Sequence, residues 1–141
     1  MLDKIVDGIS EKLIEVFGKR YKVYTESVEQ GLKNPCFFIN LVNPASTNML
    51  GERFFRENLF CIQYFPKSKE PKAECYKVQD KLYVTLDYIE IDGKPQRGIK
   101  MRGEFIDGVL HFFVNYNMFV VMTEEKVPME VLQVPKIRTK G

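Results

Sequence analysis

The alternation of apolar and polar residues is clearest in residues 108–122, which read GVLHFFVNYNMFVVM. This run is nearly free of charge and rich in β-branched and aromatic residues, a composition that predicts a central β-strand. One set of alternate positions is almost entirely apolar: Leu110, Phe112, Val114, Tyr116, Met118 and Val120. The opposite set is mixed, so we expect one face of this strand in the core and the other available for contact.

The dipeptide Asp107-Gly108 predicts a tight turn before this strand, because both turn positions of such a hairpin favour positive φ angles. A two-residue turn also fixes the register of the two strands. On the apolar face it predicts the pairs Phe105–Leu110, Gly103–Phe112, Met101–Val114 and Ile99–Tyr116. On the other face it predicts Glu104–His111, Arg102–Phe113 and Lys100–Asn115.

Two segments have the period of amphipathic helices. Residues 2–18 place apolar side chains at spacings of three and four and end at Gly18, a residue that commonly stops helices. Pro71 is favoured in the first turn of a helix, which we expect to continue over residues 72–88. The apolar stripe of this second helix comprises Cys75, Val78, Leu82, Leu86 and Ile89.

Further strands are predicted at residues 21–27, 36–43, 53–65 and 90–92, with a connection over 28–35 and a polar, turn-rich loop over 44–52. The resulting order, α-β-β-β-α-β-β-β, predicts an α+β domain over residues 1–124. Its sheet is expected to be mainly antiparallel, with both helices on one face.

Two segments extend beyond this core in the prediction. Residues 44–58 carry Met49 and Leu50 at a hairpin tip, and form either a solvated loop or an arm that reaches a neighbouring subunit. Residues 125–141 contain two prolines and no helical period, which favours an extended C-terminal tail. Its apolar residues, Val131 and Leu132 among them, leave open an alternative in which the tail docks on a partner subunit.

The composition of the chain argues against several classes of function. The chain has 141 residues, enough for one core, and its 21 basic and 19 acidic residues give a net charge of +2. Strong sequence-independent nucleic-acid binding normally requires a far more basic domain. Cys36, Cys61 and Cys75 lack metal-ligand spacing and are expected to be reduced, buried thiols. No secretory signal or membrane-spanning segment is expected.

The sequence contains few candidates for catalytic residues. His111 is the single histidine, and the predicted register pairs it with Glu104 but with no nucleophile. Asp87, Glu90 and Asp92 cluster at one junction, but charged residues at an exposed turn are the ordinary case. No phosphate-binding, dinucleotide-binding or nucleophile-elbow motif is present. We therefore expect no enzyme activity, no metal and no cofactor, and favour an interaction or assembly module.

Four stretches carry a resemblance to a known family: LDKIVDGISEKLIEVFG, YTESVEQGLKNPCFFINLVNP, RFFRENLFCIQYFPKS and DGVLHFFVNYNMFV. Together they resemble the tail terminator, or tail-completion, proteins of phages and prophage-like elements from low-GC Gram-positive bacteria. The resemblance covers about residues 1–122 and rests on extended similarity, because none of these stretches is a catalytic motif.

The resemblance implies a structural virion protein without cofactor or enzyme activity. Such proteins form a ring, usually a hexamer, on the last ring of the tail tube, where they halt tube polymerisation and offer a surface to the head-side connector. In contractile tails they also contact the sheath, and in a headless, tail-like bacteriocin the same ring would cap the particle. DNA would only pass through the lumen, and assembly would occur in the bacterial host cytoplasm.

The sequence leaves three other interpretations of the function open: a head–tail joining or tail accessory protein, a nucleic-acid-binding module and a small enzyme. For a ring or tube interface, the sequence points to Met49, Leu50, Arg53, Phe54, Arg56, Lys100, Arg102, Val131 and Leu132.

Overall fold

Residues 2–25, 33–42, 45–48 and 51–121 are described by a computed structural model, in which two helices and ten strands follow one another. The first half contains α1 (Leu2–Phe17), β1 (Lys22–Tyr24), β2 (Cys36–Leu41), β3 (Ala45–Asn48), β4 (Arg53–Glu57) and β5 (Leu59–Phe65). The second half contains α2 (Pro71–Thr85), β6 (Tyr88–Ile91), β7 (Lys94–Arg97), β8 (Ile99–Ile106), β9 (Val109–Asn115) and β10 (Met118–Val121).

The main sheet has five strands in the order β1-β2-β5-β9-β8. Only the β1–β2 pair is parallel, and the other three pairs are antiparallel. Both helices pack on the same face of this sheet, which confirms the predicted α+β class. The number of strands is larger than predicted, because two long predicted strands are interrupted and two short strands were missed.

One apolar cluster joins the helices to this sheet. Ile5, Ile9 and Leu13 of α1 are almost fully buried, as are Cys75 and Leu82 of α2. The sheet supplies Phe37, Ile39, Phe60, Ile62, Tyr64, Leu110, Phe112, Val114 and Tyr116 to the same cluster. Each buried aliphatic or aromatic side chain stabilises the fold by roughly 1.5–3 kcal/mol.

The β8–β9 hairpin follows the predicted register near its turn. Phe105 lies opposite Leu110 and Arg102 opposite Phe113, as the Asp107-Gly108 turn requires. At the far end the prediction is wrong, because Ile99 pairs with Asn115 and not with Tyr116. A β-bulge causes the shift: two residues of β8 oppose one of β9, and Lys100 has a φ of 56°.

The two longest predicted strands, residues 53–65 and 108–122, are each broken. Asn58 separates β4 from β5, and Tyr116 and Asn117 separate β9 from β10. The side chain of Asn58 is only 2% exposed, and its Nδ2 donates to the carbonyl of Tyr116 over 3.0 Å. The Asn58 N–H donates to Oδ1 of Asn117 over 3.3 Å. These bonds join the β4–β5 segment to the β9–β10 segment at the point where each of them leaves the main sheet.

Beyond this junction, β4 and β10 form a second sheet together with β3. This sheet has the strand order β10-β4-β3, and we call it the arm. β3 lies inside the segment predicted to be a loop, so that part of the prediction is wrong. The arm retains the projecting hairpin that the sequence suggested and adds β10 to it through the pairs Met118–Arg56 and Val121–Arg53.

A small hairpin of β6 and β7 completes the fold. Its turn is the predicted Asp92-Gly93, with φ angles of 54° and 76°. Strand β7 was not predicted, because its sequence KPQR is polar and mostly exposed. Gly98 follows it where the chain passes Leu86, and a Cβ atom there would lie 2.5 Å from the Leu86 carbonyl oxygen.

We predict that Asn58→Ala lowers the free energy of unfolding by about 1–3 kcal/mol, because it leaves the buried carbonyl of Tyr116 without its donor. Chemical denaturation measures this loss. Asn40→Ala is the matched control, since exposed Asn40 donates to Gln63 at the surface and should change stability by less than about 0.5 kcal/mol. Equal effects of the two substitutions would contradict the role assigned to the junction.

Candidate interaction surfaces

The face of the main sheet that lies opposite the helices carries a mixture of polar and aromatic side chains. We call it the open face, and it comprises Phe38, Asn40, Cys61, Gln63, Arg102, Glu104, His111 and Phe113. The alternation of β9 places His111 and Phe113 there while Leu110 and Phe112 enter the core. Arg102, Glu104 and His111, three of the polar positions predicted from the hairpin register, therefore lie together on one surface.

Most polar groups of the open face contact one another. Nδ2 of Asn40 donates to Oε1 of Gln63 over 3.1 Å, and Nε2 of Gln63 lies 3.5 Å from Nδ1 of His111. Arg102 pairs with Glu104 at 2.6 Å, and its guanidinium lies 4.1 Å from the centre of the Phe113 ring. These contacts order a surface that carries both signs of charge, a pattern suited to protein contact.

Among the described residues, the nucleophilic atom that contacts His111 is Sγ of Cys61, which lies 3.9 Å from Nδ1 of His111. The pKa of the Cys61 thiol is raised to about 11, mainly because the thiol is buried. The positive charge of Arg102 lowers this pKa, and the negative charge of Glu104 raises it further. Cys61 is therefore a neutral thiol near pH 7, and the thiolate needed for nucleophilic attack is scarce.

The arm presents a second surface, centred on an aromatic pair. The rings of Phe55 and Phe119 lie 5.0 Å apart, and Phe119 is 61% exposed. Arg53 is exposed near the tip, while half-buried Arg56 donates from Nε to Oγ of Ser46 over 3.2 Å. A partly exposed aromatic pair beside arginines is typical of interface centres, where both residue types are enriched.

The residues predicted for an interface occupy different environments. Arg53 and Arg102 are exposed, and Lys100 is exposed at the bulge of β8. Phe54 is only 8% exposed, so its side chain belongs to the packing of the arm. Met49, Leu50, Val131 and Leu132 lie outside the described residues, so their interface role stays a prediction.

Sequence reasoning missed the most exposed aromatic residue. Alternation along one long strand predicts Phe119 on the mixed face, and only the break at Tyr116 and Asn117 places it on the arm beside Phe55. The signal available was the polar pair Asn115 and Asn117 within an otherwise apolar run, because such residues often mark the end of a strand.

The described part of the chain holds no cluster of three or more histidine, cysteine, aspartate or glutamate side chains that fits a metal ion. None of its helices has the length and apolar character needed to cross a membrane.

An α+β domain with polar groups that pair at its surface, and with partly or fully exposed aromatics on sheet faces that the described residues leave uncovered, has the features of an assembly protein. Residues 4–128 match the model of a family described as phage tail terminator protein, and the chain belongs to that family. It is therefore a structural component of the virion tail that associates with other tail proteins. No curated protein matches the chain.

We predict that the native cysteines resist thiol reagents at pH 8. Burial raises the pKa of Cys61 and Cys75 to about 11 from 9.0, which lowers their thiolate fraction about a hundredfold. Cys36 is also buried and its pKa is raised. Colorimetric labelling should be slow in the folded protein and complete after denaturation, and the exposed thiol of an Ile106→Cys variant should react rapidly. Fast labelling of the unaltered protein would contradict the burial of these thiols.

Proposed function

We propose that this tail protein forms a ring, a hexamer, on the end of the tail tube, where it stops polymerisation and provides the attachment surface for the head-side connector. Family membership is the observation that carries the proposal, since it extends over residues 4–128. In a contractile tail the sheath would be a further partner. Assembly in the bacterial host cytoplasm belongs to the same proposal.

The two surfaces of the subunit support a ring. A closed ring of more than two identical subunits needs two different patches on each subunit, so that one patch meets the other around the circle. The arm and the open face differ in composition and belong to different sheets. We assign the arm to contact with a neighbouring subunit or tube, and the open face to the lumen or a tube subunit.

The residues proposed to make these contacts follow from this assignment. Those of the arm and its tip are Met49, Leu50, Arg53 and Arg56, and Phe54 would contribute through the packing of the arm. Those on or beside the open face are Lys100 and Arg102. Residues 1–124 would form the domain, and residues 125–141 would be an extended tail that contributes Val131 and Leu132 to subunit contact.

The charge of the chain supports a channel for DNA. A net charge of +2 on 141 residues gives each subunit little attraction for the phosphate backbone. DNA passing through a ring of such subunits would therefore slide without strong retention. A head–tail joining protein is the alternative of the same class, and it would act on the connector without controlling tube length.

We predict that deletion of the gene yields tail tubes of uncontrolled length, because the free tube end continues to accept subunits. Negative-stain electron microscopy of lysates measures the length distribution, and expression of the gene in trans should restore it. Tubes of normal length with unattached heads would instead indicate a joining protein. Salt-sensitive DNA binding by the pure protein would favour the nucleic-acid-binding alternative.

We predict that Phe119→Glu prevents capping while the subunit stays folded. Phe119 is 61% exposed, so the substitution costs the Phe55 contact, about 0.5–1.5 kcal/mol, and places a charge in the aromatic surface. Tyr76→Glu is the control, because Tyr76 is 54% exposed on α2 and away from the arm. Tube lengths and denaturation curves of both variants test the assignment. Normal capping by Phe119→Glu would remove the arm from the interface.

A further inference from the structure

The C-terminal halves of the two helices flank an open, apolar groove. The groove has a volume of about 470 Å³ and is lined by Lys12, Val16, Asp80, Lys81, Val84 and Thr85. Val84 is 79% exposed and Val16 is 41% exposed. Valine side chains on facing helices at one groove differ from scattered surface residues, because they form one apolar strip.

Charged groups border this strip. Lys12 and Lys81 lie on the groove with a single carboxylate, that of Asp80, so the three residues carry a net charge of +1. Nζ of Lys81 lies 5.2 Å from the centre of the Phe17 ring, which keeps this charge close to the apolar lining. A matching occupant would combine apolar side chains with an acidic group.

The chain itself contains such a segment. Residues 127–134, with the sequence VPMEVLQV, include five aliphatic or thioether side chains and one charged residue, Glu130. Pro128 interrupts a helix and favours an extended segment. Within the sequence after Val121, this is the stretch whose composition fits an apolar strip bordered by lysines.

The position of Val121 favours the groove of another subunit. Val121 pairs with Arg53 near the tip of the arm, whereas the groove lies at the end of α2, where Leu86 accepts a hydrogen bond from Tyr116 at the base of the arm. Val131 lies ten residues beyond Val121, so the segment can reach at most roughly 33–36 Å from the tip of the arm. Because the proposed function places the arm against a neighbouring subunit, the chain leaves Val121 beside the surface of that subunit.

We infer that residues 127–134 of one subunit bind in the groove between α1 and α2 of a neighbouring copy. Val131 and Leu132 would contact Val16 and Val84, and Glu130 would face the lysines. The inference rests on the proposed function, because it supplies a contact between adjacent subunits of the ring. The segment would act as a strap that links each subunit to the next one.

Introduced cysteines test this contact in the full-length protein, because the three native thiols are buried. Val84→Cys protein is mixed with protein that carries Met129→Cys, Val131→Cys or Leu132→Cys, and disulfide formation is followed on non-reducing gels. We expect covalent dimers from at least one mixture, formed about tenfold faster than with an Ile106→Cys partner. Ile106 is exposed but lies on the side of the sheet opposite the helices. A disulfide requires Cα atoms within about 7 Å, so it reports direct proximity.

Two outcomes would overturn the inference. One is dimer formation no faster than in the Ile106→Cys control, both in concentrated solution and on terminated tubes. The other is a bond that forms only within single chains of a Val84→Cys/Leu132→Cys variant, which would place the segment on its own subunit. If capping of tubes is normal while cross-linking fails, only this inference is wrong. If cross-linking succeeds while tubes stay uncapped, only the proposed function is wrong.

A substitution provides a second measurement. Val84→Glu places a carboxylate in the apolar strip that Val131 and Leu132 would cover, and it should reduce the association of subunits measured by light scattering while the folded state persists. Val84 is so exposed that the substitution removes little buried surface. Unchanged association in this variant would contradict the inference.

Discussion

The buried amide of Asn58 joins two strand segments at the point where both leave the main sheet. β4 continues into β5 and β9 into β10 at the same level, and both pairs of strands change sheets there. Asn58 bonds both to the Tyr116 carbonyl and to the Asn117 side chain, and Gln96 donates to the Asn117 carbonyl over 2.8 Å. Because buried polar groups are costly when unpaired, these bonds restrict the arm to one orientation relative to the core.

Much of the fold could be predicted because local patterns and long-range packing agree. The turn at Asp107-Gly108 set the register of β8 and β9, and the helical stripes identified the buried residues of α1 and α2. The breaks in the two longest predicted strands, at Asn58 and at Tyr116 and Asn117, could not be predicted in the same way. An asparagine within a strand pattern is compatible with a strand edge, a β-bulge or a junction between two sheets. Which of these forms depends on the strand segment that packs opposite the asparagine.

The candidate surfaces were predictable to different extents. The contact of Arg102 with Phe113 follows directly from the hairpin register. The pair of Phe55 and Phe119 depends on which sheet β10 joins, and the groove at Val84 depends on how α1 crosses α2. Both are tertiary properties that join residues far apart in the chain, so no local pattern encodes them.

The bulge at Lys100 also bears on solubility before assembly. β8 is an edge strand of the main sheet, and an uninterrupted edge offers its free backbone groups to strands of other molecules. The left-handed backbone of Lys100 breaks the regular spacing of those groups and sets a cationic residue beside them. Free subunits are thereby protected against edge-to-edge strand pairing into open-ended aggregates.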